Sequence, residues 1–371
     1  MHSRPYRTCI VLPTGYAFFS FAILALAVLV LSSCSDLGKP PLAVLTIEPR
    51  TCCTGQEVRF DASKSQADDG KIESYAWTFG DGSSGSGETA THTYSEQGQY
   101  SVQLTITLAN GESSAAQDTV TVMSGLLVPS TYSTIQAAID AAQPGDLVVV
   151  EPGVYQVSLA VRSKRITLRS SDPDNPSVVS RTILTPEPHT GRPILNFSEH
   201  TTSTLEGFTI TGMIGCPQCA TGAIYIREAS PTIRGNRIIG NREGGIVAVE
   251  SGAQIIENTF TNNVSGAKSI SGGAIHAYGC RRAPSVIGNT FTGNEARSGG
   301  AIYIGASCND LLAGDAAPMQ LEGNVFEDNL ATDFGGGAVF VEFGARLDLP
   351  EPDTNTYRRN DPNDIQYVVP P

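Results

Sequence analysis

At 371 residues the chain exceeds what one domain usually holds, and its 38 Gly and 22 Pro favour strands and turns over helices. A net charge of -13 makes a surface that repels phosphate backbones and argues against nucleic acid as a partner. Two folded units are expected.

The first 33 residues read as a secretory signal: Arg4 and Arg7 precede an apolar run from Ala17 to Leu31, with small residues at Ser32 and Ser33. That run is short for a membrane span, which needs roughly 20 residues. Leu31-Ser32-Ser33-Cys34 resembles the bacterial lipobox, which implies lipidation of Cys34. A plain signal peptide and an uncleaved anchor helix are the competing readings. With Ser35 after the cysteine, the expectation is an exported protein, lipid-anchored in the outer membrane or at the cell surface. Six further cysteines remain beyond Cys9 and Cys34: Cys52, Cys53, Cys216, Cys219, Cys280 and Cys308.

Residues 34–42, with Lys39-Pro40-Pro41, form a short stiff linker. Residues 43–123 then alternate apolar and polar side chains between turn signals, as in Val58 and Phe60, Tyr75, Trp77 and Phe79, and Val102-Leu104-Ile106. The pattern predicts a small Ig-like β-sandwich of about seven strands. Trp77-Thr78-Phe79-Gly80-Asp81-Gly82, His92-Thr93-Tyr94 and Gly98-Gln99-Tyr100-Ser101-Val102 resemble the polycystic-kidney-disease (PKD) domain. The resemblance implies a stalk or spacer, or weak glycan or protein contacts. No cofactor is expected, although Asp61, Asp68 and Asp69 could hold calcium; solvated turn acids are the simpler reading.

Residues 126–371 carry a different pattern. Ser133-Thr134-Ile135-Gln136 matches a capping box, and Ile135, Ala138, Ile139 and Ala142 form one apolar helical face ending at Pro144-Gly145. This predicts a helix that caps a solenoid. From Gly222 two elements interleave. The first is Gly222-Ala223-Ile224-Tyr225-Ile226, recurring at Gly245, Gly273, Gly300 and Gly337; the second is an asparagine pair, from Asn236 with Asn241 to Asn355 with Asn360. Ile238, Phe260, Phe291, Phe326 or Tyr357 stands two residues after the first asparagine. Such repeats predict rungs of a right-handed parallel β-helix with stacked asparagine and aromatic columns. They resemble the pectin-lyase-like superfamily, which specifies fold alone. The stretch from Gly222 to about Phe343 is also similar to the repeat of chlamydial polymorphic outer-membrane proteins, matched in Phe291-Thr292-Gly293-Asn294 and Gly299-Gly300-Ala301-Ile302.

With Ile224 and Ile226 inward, one outward column is expected at Tyr225, Ala248, His276, Tyr303 and Phe340, and the next at Arg227, Glu250, Tyr278, Gly305 and Glu342. Glu250 and Glu342 would stand three rungs apart, roughly 14 Å. Glycosidase pairs lie at roughly 5 to 9.5 Å, so this face excludes a simple hydrolase pair. Loop acids Asp310, Asp315, Asp328 and Asp333 leave an active site at the rim open. Tyr225, His276, Tyr278, Tyr303 and Phe340 suggest an exposed stripe on which a polysaccharide stacks; rings that only stack on one another are the alternative. Cys280 and Cys308 fall at one corner of adjacent rungs and predict a disulfide, and Cys216 with Cys219 predict a local bridge in preference to half a zinc site. The expected function is adhesion or polysaccharide binding by a non-catalytic surface lipoprotein, to a glycan or protein on a host or neighbouring cell. A polysaccharide lyase or glycoside hydrolase is the first alternative and a structural envelope protein the second.

Overall fold

The computed structural model describes residues 40–67, 71–214, 222–265, 272–279, 281–305 and 317–368. Nearly all of its regular structure is β, in two units joined at Ser124. The first is a sandwich of a three-stranded sheet (Thr46–Glu48, Glu57–Asp61, Thr89–Thr93) and a five-stranded sheet (Thr51–Cys53, Ser113–Met123, Gly98–Leu108, Ile72–Thr78, Ser84–Ser86). The alternation read from the sequence packs Val58, Phe60, Trp77, Phe79, Val102, Leu104 and Ile106 between the sheets. Gly80 lies against the next strand, where a Cβ would meet Ser101 O at 2.6 Å. Asp81 at the following turn accepts from Ser83 and His92. Burial works against its charge, yet these hydrogen bonds hold its carboxyl down at about 2. Asp61 accepts the Ser63 N–H at 2.8 Å, while Asp68 and Asp69 lie outside the described residues.

The second unit winds through three parallel sheets of nine, eight and eight strands. Sheet I begins with Gly125–Val128 and Leu147–Val150, sheet II with Gly153–Val157, and sheet III with Leu159–Arg162. One continuous apolar core runs down the middle. Helix α1 (Ile135–Ala141) buries Ile135, Ala138 and Ile139 in that core beside Leu126, Val128 and Val148. Its cap sits one residue later than the capping-box reading placed it. Thr134, not Ser133, accepts the Ala137 N–H at 3.2 Å, and Gln136 turns to sheet III, accepting the Ala160 N–H at 2.9 Å.

Both asparagine columns form as the repeat predicts. Asn258 Nδ2 donates to Ile233 O on the preceding rung, to Ile256 O on its own and to Asn289 Oδ1 on the next at 3.0 Å, and every rung from Asn236 to Asn324 repeats the contact to the next asparagine. Buried amides are thereby paired where no water reaches. Phe260, Phe291, Phe326 and Tyr357 stack beside the column at 4.8, 4.8 and 5.3 Å.

The two units are clamped together. Along Thr51–Cys53 successive side chains face opposite ways, so Cys52 enters the sandwich core while Cys53 packs on Leu147, Val149 and Leu127 of the β-helix. Their opposite facing explains why adjacent cysteines stay free, and burial pushes the thiols up to about 11 and about 12, which makes them inert. Arg169 Nη2 donates to Thr51 O at 2.7 Å and Gln56 Nε2 to Ser171 O at 2.6 Å across the junction. A spacer needs no such contacts; this sandwich is seated on the first rungs of sheet I.

Candidate functional site

Sheet III positions the residues singled out in the sequence. Its outward column reads Asn196, Tyr225, Val247, His276, Tyr303, Phe340. Ala248 therefore leaves the column and points inward. The Gly244-Gly245-Ile246 copy has one residue fewer between its glycines and its strand than Gly272-Gly273-Ala274-Ile275, which shifts the register by one. In the next column Val249 replaces Glu250 between Arg227 and Tyr278. Arg227 pairs instead with its neighbour Glu228 at 3.4 Å, and Glu250 accepts the Arg281 backbone N–H.

Exposure along the column is less even than expected. Tyr303 and Phe340 are only 5% and 6% exposed, because their rings lie flat on one another at 5.5 Å. His276 meets the edge of Tyr303 at 4.9 Å and tilts against Tyr278 at 5.1 Å. That end of the stripe is a ring stack within the protein. The other end is open. Tyr225 and Tyr278 are half-buried and stand two rungs apart, roughly 10 Å. Between them stand the smaller side chains of Val247, only 4% exposed, and Val249, half-buried, so the apolar notch separating the two rings has Val249 as its reachable floor. Sequence reading missed both valines, and the alternation of Ile246 and Ala248 with the inward Ile275 and Ala277 was the signal for them.

Larger hollows lie elsewhere among the described residues. One of about 720 Å³ lies at the corner between sheets II and III, lined by Arg242, Glu295, Arg297 and Asp333. Another, of about 490 Å³, lies between sandwich and β-helix, lined by Glu48, Arg169, Asp172, Glu206 and Arg234. Of the rim acids, Asp333 pairs with Arg297 and Asp328 with Arg359, so both are engaged in ion pairs. Asp310, Asp315 and the predicted bridge cysteines Cys216, Cys219, Cys280 and Cys308 lie outside the described residues, as does Cys34. No cluster of three metal-ligating side chains occurs among the described residues.

Comparison with known proteins fits this division. Residues 38–123 match the family model of the PKD domain, and residues 194–366 match that of the right handed beta helix region. This chain joins a PKD domain to a right-handed β-helix. Its PKD domain is similar to part of collagenase ColA of Clostridium perfringens, 39% identical over 75 residues, which is 20% of this chain and 7% of the collagenase. The first curated relatives are matched over only 7 to 10% of their own length. Among solved structures, the PKD1 domain of Vibrio cholerae metalloprotease PrtV is 33% identical, covering 23% of this chain and 98% of that one, with a TM-score of 0.20. The alginate lyase of Paenibacillus sp. str. FPU-7 is 16% identical, covering 63% and 95%, with a TM-score of 0.30.

His276 gives the PKD–β-helix protein a measurable acid sensitivity. Burial drives its imidazole down from 6.5 to about 4. The unfolded chain therefore takes up a proton that the folded chain refuses between those values. The contribution is complete above pH 6.5 and is lost progressively as pH falls to about 4, by about 3 kcal/mol in all. Urea denaturation of wild type and His276→Phe at pH 7 and pH 4.5 checks this. The stability lost on acidification should be smaller in the variant by roughly 2–3 kcal/mol, and parallel losses would refute it.

Proposed function

We propose that this is an exported protein, lipid-anchored through Cys34, whose β-helix binds a polysaccharide on sheet III without cleaving it. The observation that carries the reading is the notch between Tyr225 and Tyr278 over Val247 and Val249. Two aromatic walls around an apolar floor suit the flat, partly apolar face of a sugar ring, and the repeat of the rungs extends such a surface along the axis. Glu250 and Glu342 support a binding role over hydrolysis on this face, because their strands lie three rungs apart, roughly 14 Å.

Glycan-array and calorimetric binding by the full chain tests the proposal. Tyr278→Ala and Tyr225→Ala should each weaken binding about tenfold or more, since losing an aromatic platform removes roughly 1.5 kcal/mol of stacking and burial. Unchanged affinity in both variants would remove the notch as the site. Release of reducing or unsaturated sugar ends by the wild-type chain would replace binding with catalysis.

A further inference from the structure

The column that holds the notch also carries two unsatisfied polar atoms. Asn196 Oδ1 and His276 Nδ1 are buried, and neither has a hydrogen-bond partner among the described residues. Buried polar atoms are normally paired, and leaving one unpaired costs about 1–3 kcal/mol. The two share the outward column of sheet III, Asn196 one rung before Tyr225 and His276 one rung after Val247. They thus bracket the notch from either end, three rungs or roughly 14 Å apart.

The charged groups beside the notch already have partners. Arg227 is paired with Glu228, and Glu250 is occupied by the Arg281 N–H. From the Asn196 rung to the His276 rung, Arg227 is the one cation of these two columns among the described residues, and Arg162 stands one rung further out, beyond Asn196, so the span of the notch itself offers no spare cation to a carboxylate or a sulfate. A hydroxyl group suits both atoms, because it donates and accepts at once and so satisfies an amide oxygen and either tautomer of an imidazole.

We infer that Asn196 and His276 select the ligand, hydrogen-bonding hydroxyl groups of an uncharged oligosaccharide laid along the column with Tyr225 and Tyr278 against its rings. This rests on the binding proposal above and narrows it to a neutral glycan. The buried amide and imidazole supply selectivity, because a ligand lacking the matching hydroxyl leaves them unpaired.

The test measures binding of the full chain to soluble β-glucan, xylan and mannan, and to polygalacturonate and alginate as anionic probes. Wild type should bind at least one neutral polymer and neither anionic one. His276→Phe keeps the ring stack and Asn196→Leu keeps the volume, and each should lower affinity tenfold or more while the melting temperature at pH 7 holds or rises. Wild-type affinity in both variants, with binding lost in Tyr278→Ala, would overturn the selector role and leave the notch standing. Preference for an anionic polymer would overturn the neutral-glycan assignment. Lost affinity accompanied by a lowered melting temperature would make both residues structural, and no binding by wild type to any probe would sink the inference together with the binding proposal.

Discussion

Asn289→Ala is expected to destabilise the β-helix by about 4 kcal/mol. Its amide donates to Ile255 O at 2.8 Å, to Ile287 O at 3.0 Å and to Asn324 Oδ1, while its oxygen receives both the backbone and side-chain N–H of Asn258. Alanine leaves several of these groups buried without partners, and each such group costs about 1–3 kcal/mol. Asn355→Ala is the comparison, because that residue occupies the same column where it is half exposed and water can substitute. About 1–2 kcal/mol is expected there. Urea midpoints of the two variants decide the matter, and equal losses would show that the column adds nothing beyond local turn geometry.

Gly300→Ala should be at least as damaging, for a reason unrelated to torsion angles. Gly300 is not among the residues with positive φ, so its backbone conformation alone admits alanine. The obstacle is space: a Cβ would lie 2.4 Å from Gly337 O and 2.6 Å from Leu330 N, and backbone on neighbouring segments cannot yield. At least about 3 kcal/mol is expected, with failure to fold as the extreme. Gly323 reverses both conditions, with φ at +62° and no atom within 4 Å of the place a methyl group would take. Gly323→Ala should cost about 1 kcal/mol from left-handed strain alone. If thermal melts rank the two the other way, close packing of rungs is not what the glycine pairs secure.

Much of the architecture was legible in the sequence because a solenoid writes each environment several times. A single asparagine says little. Asn236, Asn258, Asn289, Asn324 and Asn355 in the same order, each with a large apolar or aromatic side chain two residues on, define a column, and the structure contains it. Where the repeat lost one residue, at Gly245-Ile246, the reading slipped with it and put Ala248 where Val247 stands. Asn196 escaped notice because its rung lacks the glycine pair that marked the later ones. Alternation placed Tyr303 and Phe340 outward correctly but could not show that rings in register cover each other. The docking of the sandwich was illegible for the opposite reason: Cys53, Gln56 and Arg169 each occur once, far apart, with no pattern to join them.

In every asparagine-to-asparagine contact along the columns the donor belongs to the earlier rung and the acceptor to the later, so these hydrogen bonds all run the same way along the axis. Such a row polarises its members in concert and gives the solenoid unlike ends, much as aligned peptide units do for an α-helix. At the donor end both columns meet carboxylates. Asp353 receives Asn355 Nδ2 at 2.7 Å, and Asp364 receives Asn360 Nδ2 at 3.0 Å. Each aspartate stands where a further asparagine oxygen would be, and its negative charge terminates the row as an acidic residue does at a helix N-terminus.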